Sequence, residues 1–505
     1  MKISRSELWC VFFGTLLGGF LLYARTFQYT WTYDDFMVIV NNPDVHSFWG
    51  FVQDSYPGRP LRELTFLLDY TLWGMNPVGW HLQNIIWHSL AAFLLFLLLR
   101  NLGGGRCLSW LTTVIFLFHP LCVEVVASIS HRKDSLAIVF CLLSFLCFQK
   151  ASIKSTKLWL WRVASFSFFV IALYAKQTAI GLIPVLLVYE WQFLPVKKRF
   201  LFRFPRAVLG ILTLAGVFFL VWFFFFDGIL DYRKAAESLL VKLEYYQDAE
   251  LATYFRTLIK AWVFMAVRVF FPHDLAVEYI FSAPQQWLDP WVLSGVFLGV
   301  CCLVGGWLLR RSPLGMLGFA WIFCFAGATS NLWPLAYWAA DRYLYAPLIG
   351  FALLFSLALE RWVLSARLKV ALTFFVPTSL FIVAWLQVPV WQSDETVHLH
   401  ALKVSPNSSY IMNELGKYYE KNSADHLALN YYRRATKANE FNAAAHYNLG
   451  QMLERSGAIR DALNHYRMFL NHSSKVYHEA EMALRDRIER QYGIRLVRYN
   501  NDVEE

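Results

Sequence analysis

The chain has 505 residues, of which 57% are hydrophobic, 18% aromatic and only 16% charged. That balance lies outside the range of soluble globular domains and belongs to a polytopic membrane protein. The formal net charge is +10, but basic and acidic residues balance at 15 each from residue 391 onward, so the whole excess sits in the apolar part of the chain. Such a placement excludes a nucleic-acid-binding reading of the charge.

Eleven apolar windows, at 8–27, 82–100, 108–126, 135–149, 158–175, 178–194, 207–226, 291–309, 313–329, 343–360 and 370–390, are each about long enough to cross a ~30 Å hydrocarbon core as a helix. The first contains the uncharged run Leu8–Tyr23; it is long, and no A-x-A cleavage site follows before Asp34, so it reads as an uncleaved span. Basic residues occupy alternate loops: Lys2 and Arg5; Arg100 and Arg106; Lys150, Lys154 and Lys157; Lys197, Lys198, Arg199, Arg203 and Arg206; Arg310 and Arg311; Arg361, Arg367 and Lys369. These loops mark the cytoplasmic side. The segment 256–271 is apolar but carries Arg256, Lys260 and Arg268, and reads as an interfacial helix on the outer face. The outer side then receives the loop 28–80, the segment 227–290, the turn 330–342 and the C-terminal tail. All eight cysteines (Cys10, Cys107, Cys122, Cys141, Cys147, Cys301, Cys302 and Cys324) fall in or beside apolar segments, which argues against a disulfide framework and a CxxC metal site.

The first outer loop places two adjacent carboxylates, Asp34 and Asp35, next to the membrane, among aromatic residues (Trp31, Tyr33, Trp49, Tyr56, Tyr70, Trp73, Trp80) and with Arg59 and Arg62 in GRPLRELTF. Further ionisable groups gather at the outer ends of spans, where polar groups near hydrocarbon are costly and mark function. His81, Asn84 and His88 lie at i, i+3 and i+7 on one helix face. Glu124 follows His119-Pro120, then come Arg132, Lys133 and Asp134; Lys176 opens the sixth window, and Asp341, Arg342 and Tyr343 precede or open the tenth. His81 and His88 are about two turns apart, so hydrogen bonding is preferred to a shared divalent metal. A carboxylate suits a general base that takes a proton from a hydroxyl, and arginine suits a phosphate. The chemistry expected is therefore between a hydroxyl and a phosphorylated compound, with a lipid-linked sugar as co-substrate, since nucleotide sugars are not expected outside the cytoplasm. No cofactor or metal is expected.

In the tail, Leu415-Gly416 recurs as Leu449-Gly450, Ala428 as Ala462, Tyr432 as Tyr466 and Ala435 as Phe469, each displaced by 34 residues. This is the tetratricopeptide (TPR) period, in which small residues let paired helices approach and aromatics fill the grooves between repeats. Two repeats are clear, with a partial one at 391–406 and a capping helix after 475.

The runs WTYDDFMVIVNNPDV, RPLRELTF, HLQNIIWH, HPLCVEVVASISHRKD, AKQTAIGLIPVLL and NLWPLAYWAADRYLYAP, with the repeat tail, together resemble the transmembrane-and-TPR-containing O-mannosyltransferases and their bacterial relatives in the GT-C superfamily. The resemblance implies an all-α polytopic domain at 1–390, a catalytic first outer loop at 28–80, a second outer segment at 227–290 and an extracytoplasmic TPR α-solenoid at 391–505. It implies inverting transfer of a sugar, mannose or another hexose, from a polyprenyl phosphate to Ser or Thr hydroxyls of extracytoplasmic proteins. Asp34 or Asp35 would be the base, and Arg59, His81, Asn84, His88, Glu124, Arg132, Lys176, Arg342 and Tyr343 would serve donor phosphate or substrate. Lys176-Gln177 stands where the family more often has Lys-Glu, and Asp341-Arg342-Tyr343 where it has Glu-Arg-Tyr. Partners are the lipid-linked sugar, a polypeptide acceptor or partner protein at the TPR tail, and membrane lipid. A glycolipid or cell-wall acceptor is the second enzymatic reading, and a TPR scaffold or transporter the non-enzymatic one. Against the transporter, the ionisable residues gather at one face and not at the midplane. A bacterial inner membrane with a periplasmic tail is preferred to an endoplasmic reticulum membrane with a lumenal one.

Overall fold

The computed structural model describes residues 3–54, 59–152, 158–199, 251–280, 282–335, 337–363, 365–473 and 477–496, and every regular element among them is helical. The window 207–226, the part 227–250 of the second outer segment, and Tyr56, Lys154, Lys157, Arg203 and Arg206 lie outside the described residues. The chain forms two compact units, one made of residues up to Ser393 and one of Asp394–Glu505 with Glu278–Ser282.

In the first unit, six helices among the described residues are long and apolar enough to cross a bilayer: Arg5–Gln28, Pro77–Asn101, Ile129–Ser152, Leu158–Ala175, Pro290–Leu309 and Ala366–Trp391. The protein is therefore a multi-pass membrane protein. A seventh crossing is formed if Arg106–Phe118 and Pro120–Ala127, bent by 53°, make one span. The windows at 178–194, 313–329 and 343–360 yield shorter helices, Leu182–Phe193 with 12 residues and Pro313–Gly327 and Leu348–Trp362 with 15 each. Eleven full-length crossings are thus more than the described residues supply. Local backbone explains much of the shortfall. His119 is extended ahead of Pro120 (φ −69°, ψ 131°), Lys176 is extended (φ −157°, ψ 132°) before a 3₁₀ turn at Gln177–Gly181, and Ala340 is extended (φ −155°, ψ 142°) before the 3₁₀ turn Asp341–Tyr343. At His119 the following proline lacks an amide donor and restricts the residue before it, so the helix end unwinds there; Lys176 and Ala340 precede no proline. Each unwound end carries a charged or imidazole side chain.

Small residues let the apolar helices meet. Gly19 faces Ser89 and Gly350 faces the Gly318 carbonyl, with no room for a Cβ at either glycine. The 256–271 segment is part of the helix Leu251–Phe270, whose Arg256, Lys260 and Arg268 are buried. Arg256 Nε donates to the Pro284 carbonyl at 2.9 Å and Trp262 Nε1 to that of Ser330 at 2.7 Å, so this helix is tied into protein. An apolar groove of about 460 Å³ runs between Arg106–Phe118 and Ala366–Gln387, lined by Trp110, Phe118, Phe374 and Phe381 among others.

The first outer loop has its own core. Val38, Ile39, Val45 and Phe66 pack with Trp80 and Ile129. This burial folds the loop down onto the spans, and the helix Pro60–Trp73 buries Arg62, Glu63, Phe66 and Asp69 on the same side.

Among the described residues the second unit has six helices, Asp394–Val404, Ser409–Lys421, Asp425–Ala438, Ala443–Arg455, Ile459–His472 and His478–Tyr492. Its contacts repeat with the sequence. Ser408 and Asn442 cap their helices by accepting from Ile411 and Ala445 amides. Gly416 lies against the Tyr432 ring and Gly450 against the Tyr466 ring. Glu420 accepts from the Tyr432 hydroxyl at 2.7 Å and Glu454 from the Tyr466 hydroxyl at 2.5 Å, and Arg455 and Arg487 pair with those same two carboxylates at 2.6 and 2.7 Å.

Candidate functional site

Tyr33 adopts a left-handed backbone conformation, φ +51°, which costs a residue with a Cβ of order 1 kcal/mol and persists only where the surroundings enforce it. It turns the chain so that the next two carboxylates diverge. Asp35 is fully buried; its Oδ1 accepts from the Ser130 amide at 2.7 Å and its Oδ2 from the Thr32 amide at 3.2 Å. Burial pushes the Asp35 carboxyl up to about 6, against the lowering effect of those two amides, with the neighbouring Asp34 charge adding to the rise. Asp34 instead keeps 37% of its side chain exposed, and its Oδ2 lies 3.9 Å from His131 Nε2.

The other unwound ends converge on this point. Glu124, buried in the short helix after Pro120, accepts from the Arg342 amide at 2.7 Å and from its guanidinium at 2.5 Å, and its Oε1 is 3.8 Å from the same His131 Nε2. The Arg342 guanidinium lies 5.0 Å over the Tyr337 ring and 5.5 Å over that of Tyr343; the Tyr337 hydroxyl meets that of Tyr33 at 2.8 Å. Lys176 pairs with Asp134 at 2.5 Å, and Lys133 Nζ donates to the Ser130 carbonyl at 3.2 Å. The charges of Lys133, Arg342, Lys176 and Arg59 all act on His131. The result is a solvent-facing carboxylate backed by a buried imidazole, a second carboxylate and several cations. Such a site can take a proton from a hydroxyl and hold an anion beside it.

Four of the residues expected from the sequence stand below this cluster. Arg132 does not face it: the guanidinium is fully buried, pairs with Asp69 at 2.5 Å, and donates to Asn84 Oδ1 at 2.7 Å and the Trp80 carbonyl at 2.9 Å. Asn84 also donates to the Val126 and Ser128 carbonyls at 3.2 and 3.0 Å, pinning the segment that carries Ser130 and His131. His88 is bound between the Tyr345 hydroxyl and the Leu117 carbonyl at 2.9 and 3.1 Å, and His81 is buried beside the edge of Tyr29. The i, i+3, i+7 face is thus a structural floor, and Arg132 belongs to it. Asp34 and Glu124 meet His131, Arg342 is held by Glu124 and stacks on Tyr343, and the charges of Lys176 and Arg59 reach the imidazole.

Curated relatives match this chain in sequence, some along most of its length. The human protein O-mannosyl-transferase TMTC3 is 23% identical over 496 residues, covering 86% of this chain and 52% of its own length. The human protein O-mannosyl-transferase TMTC4 is 27% identical over 481 residues, covering 81% and 64%, and the mouse protein O-mannosyl-transferase TMTC1 is 32% identical over 197 residues, covering 34% and 21%. The chain is similar to the TMTC protein O-mannosyl-transferases. It spans about half to two thirds of the length of the human TMTC proteins it matches. No family model matches the sequence, and no solved structure matches it.

Against this TMTC-like frame, the residue that sequence reasoning passed over is His131. A single imidazole in an apolar run reads as packing; the available signal was the Ser-x-Ser-His run at 128–131, placed directly before Arg132-Lys133-Asp134. Asp69 was missed as well, because nothing near it in sequence shows that it pairs with a residue 63 positions away.

Proposed function

We propose that this protein is a GT-C-type membrane glycosyltransferase that moves a sugar, mannose on the strength of its relatives' names, from a polyprenyl phosphate to Ser or Thr hydroxyls of extracytoplasmic proteins. The carrying observation is that Asp34 alone of the acidic pair keeps its side chain partly exposed while its Oδ2 lies 3.9 Å from the His131 Nε2 that also stands 3.8 Å from Glu124, the partner of Arg342. Asp34 is the base: it withdraws the proton as the acceptor oxygen attacks the anomeric carbon from the side opposite the phosphate, so the configuration inverts. The phosphate leaves as a stable anion and needs no acid, in contrast to glycoside hydrolysis by a retaining pair of carboxylates. Arg342, Lys176, Lys133 and Arg59 supply the positive field for the phosphate, and the groove beside Phe118 is apolar along its length, which suits part of a polyprenyl tail.

The same reading gives eleven crossings, with the outer loops and the tail on the extracytoplasmic side, and a TPR solenoid that presents acceptor polypeptides. The 34-residue repetition of caps, glycine–tyrosine contacts and ion pairs supports that solenoid. The test uses the purified chain in lipid nanodiscs with dolichyl phosphate mannose and a Ser/Thr-rich peptide, reading peptide mass. A hexose increment that Asp34→Asn lowers by about 10²- to 10⁴-fold is expected. An increment unaffected by Asp34→Asn overturns the assignment of the base, and transfer to added glycolipid but never to peptide overturns the acceptor.

A further inference from the structure

The groups of the candidate site form a closed ring. Its buried arc runs from Asp34 Oδ2 through His131 Nε2 at 3.9 Å to Glu124 Oε1 at 3.8 Å, and on to the Arg342 guanidinium that pairs with Glu124. Its outer arc returns from Arg342 to the Tyr337 ring, 5.0 Å from the guanidinium carbon, and from the Tyr337 hydroxyl to that of Tyr33 at 2.8 Å. Tyr33 precedes Asp34, so the ring closes through one peptide bond. His131 and Glu124 are buried, whereas Tyr33 and Tyr337 are half-buried. The two tyrosines thus stand on the same open side as the exposed part of Asp34.

Each tyrosine is mounted on a stiff support, and the supports come from distant parts of the chain. Asn331, at φ +57°, closes the turn that carries Tyr337: its Oδ1 accepts from the Leu335 amide at 2.8 Å, and its Nδ2 donates to the Tyr337 and Trp338 carbonyls at 2.9 and 3.1 Å. The helix Leu251–Phe270 anchors this turn, since the Tyr254 hydroxyl donates to the Asn331 carbonyl at 2.6 Å and the Tyr254 ring packs against that of Trp338, 5.1 Å between centres. Tyr33, at φ +51°, belongs to the first outer loop with its separate core. The hydroxyl pair therefore joins, across 304 positions of sequence, the loop that aims Asp34 to the turn that leads into Arg342. The bond holds whichever oxygen donates.

We propose that the Tyr33–Tyr337 pair is a clasp that sets the separation between Asp34 and Arg342, with Tyr337 as a positioning residue that steadies the guanidinium through its ring and the base through its hydroxyl. The proposal rests on the glycosyl-transfer reading for what that separation serves. Inverting displacement needs the acceptor oxygen, the anomeric carbon and the departing phosphate oxygen near one line, so the base and the phosphate-holding cation must lie on opposite sides of a sugar of fixed size. A misplacement of about 1 Å costs such a reaction on the order of 10²-fold. Loss of the hydroxyl bond alone spoils the spacing and leaves the guanidinium against its ring, with donor phosphate still bound. Loss of the ring also frees the guanidinium to turn, and donor binding weakens. The two contributions separate in Tyr337→Phe and Tyr337→Leu.

The test uses the full chain in lipid nanodiscs and has two arms. The first is amide hydrogen exchange read by mass spectrometry, with no substrate added. Tyr33→Phe is expected to speed exchange in the turn that carries Tyr337, and Tyr337→Phe to speed it in the first outer loop around Asp34, each by about three- to tenfold, the net worth of one hydrogen bond. The double variant is expected to be no faster than either single one. An effect confined to the segment that carries the substitution overturns the clasp, whether or not any transfer is seen. The second arm measures steady-state transfer from dolichyl phosphate mannose to the Ser/Thr-rich peptide. Tyr33→Phe and Tyr337→Phe are each expected to lower kcat about tenfold with KM for the donor unchanged, and the double variant also about tenfold, where independent losses would give about a hundredfold. Tyr337→Leu is expected to raise donor KM as well. Losses that multiply, or a change confined to KM in either Phe variant, overturn the positioning role. A wild type that shows the reciprocal exchange but transfers to neither peptide nor glycolipid overturns the glycosyltransferase reading and the purpose given to the spacing, and leaves the clasp standing.

Discussion

A carboxylate that deprotonates a substrate must meet that substrate, whereas one that organises a turn is better hidden, and Asp34 and Asp35 divide these duties through a single left-handed residue between Thr32 and Asp34. The division has a pH signature. Because the folded-state Asp35 carboxyl titrates at about 6, above the usual carboxylate range, the folded chain holds a proton there that the unfolded chain has already lost. Stability from this group is present at low pH and is lost as pH rises through about 6. Thermal unfolding in detergent between about pH 4 and about pH 7 should therefore show a downward slope from this group that Asp35→Asn removes. Arg342→Lys is not conservative here, because lysine cannot reproduce the guanidinium held against Glu124 and stacked over Tyr337. Single-turnover transfer should fall by at least about tenfold while the variant still inserts into membranes.

At the scale of elements, the apolar windows and the 34-residue period were legible because each is a local property: hydropathy sums over neighbours, and a repeat displays itself. The Gly416–Tyr432 and Gly450–Tyr466 contacts follow directly from that period. Gly450→Val should destabilise the repeat unit by about 1–3 kcal/mol through overpacking, seen as an earlier loss of helix on heating. What the sequence did not disclose are the places where a window unwinds. His119, Lys176 and Ala340 are extended because tertiary partners satisfy the freed groups: the His119 ring accepts from the Leu121 amide and bonds the Val269 carbonyl 150 residues away. The site shows the same limit. Asp34, Glu124, Lys176 and Arg342 could be picked out as costly charges at span ends, but the fully satisfied interior position of Arg132 depends on Asp69 and Trp80, and the placement of His131 depends on carboxylates from two other segments, Asp34 and Glu124.

At the scale of the whole molecule, the proposed topology puts the first outer loop and the repeat tail on one side. In a chain cleared of its native cysteines, Asp44→Cys and Ser423→Cys should both react with a membrane-impermeant maleimide from outside the cell, and Arg106→Cys should react only after permeabilisation; Asp44 lies in a 3₁₀ turn, Ser423 in a turn between helices and Arg106 at the start of a helix. In the eleven-crossing topology, the helices Leu182–Phe193, Pro313–Gly327 and Leu348–Trp362 are short for their task. At 1.5 Å per residue, 12 to 15 residues reach about 18–22 Å, against a hydrocarbon thickness of about 30 Å. Such a hydrophobic mismatch thins the surrounding bilayer, or draws water and headgroups inward along the unwound ends. The protein would then carry its own depression in the membrane, and a lipid phosphate could reach Arg342 without being lifted out of the headgroup layer. Turnover should accordingly depend on acyl-chain length, highest in vesicles of short-chain phosphatidylcholine and lower as the chains lengthen, with the fold unchanged.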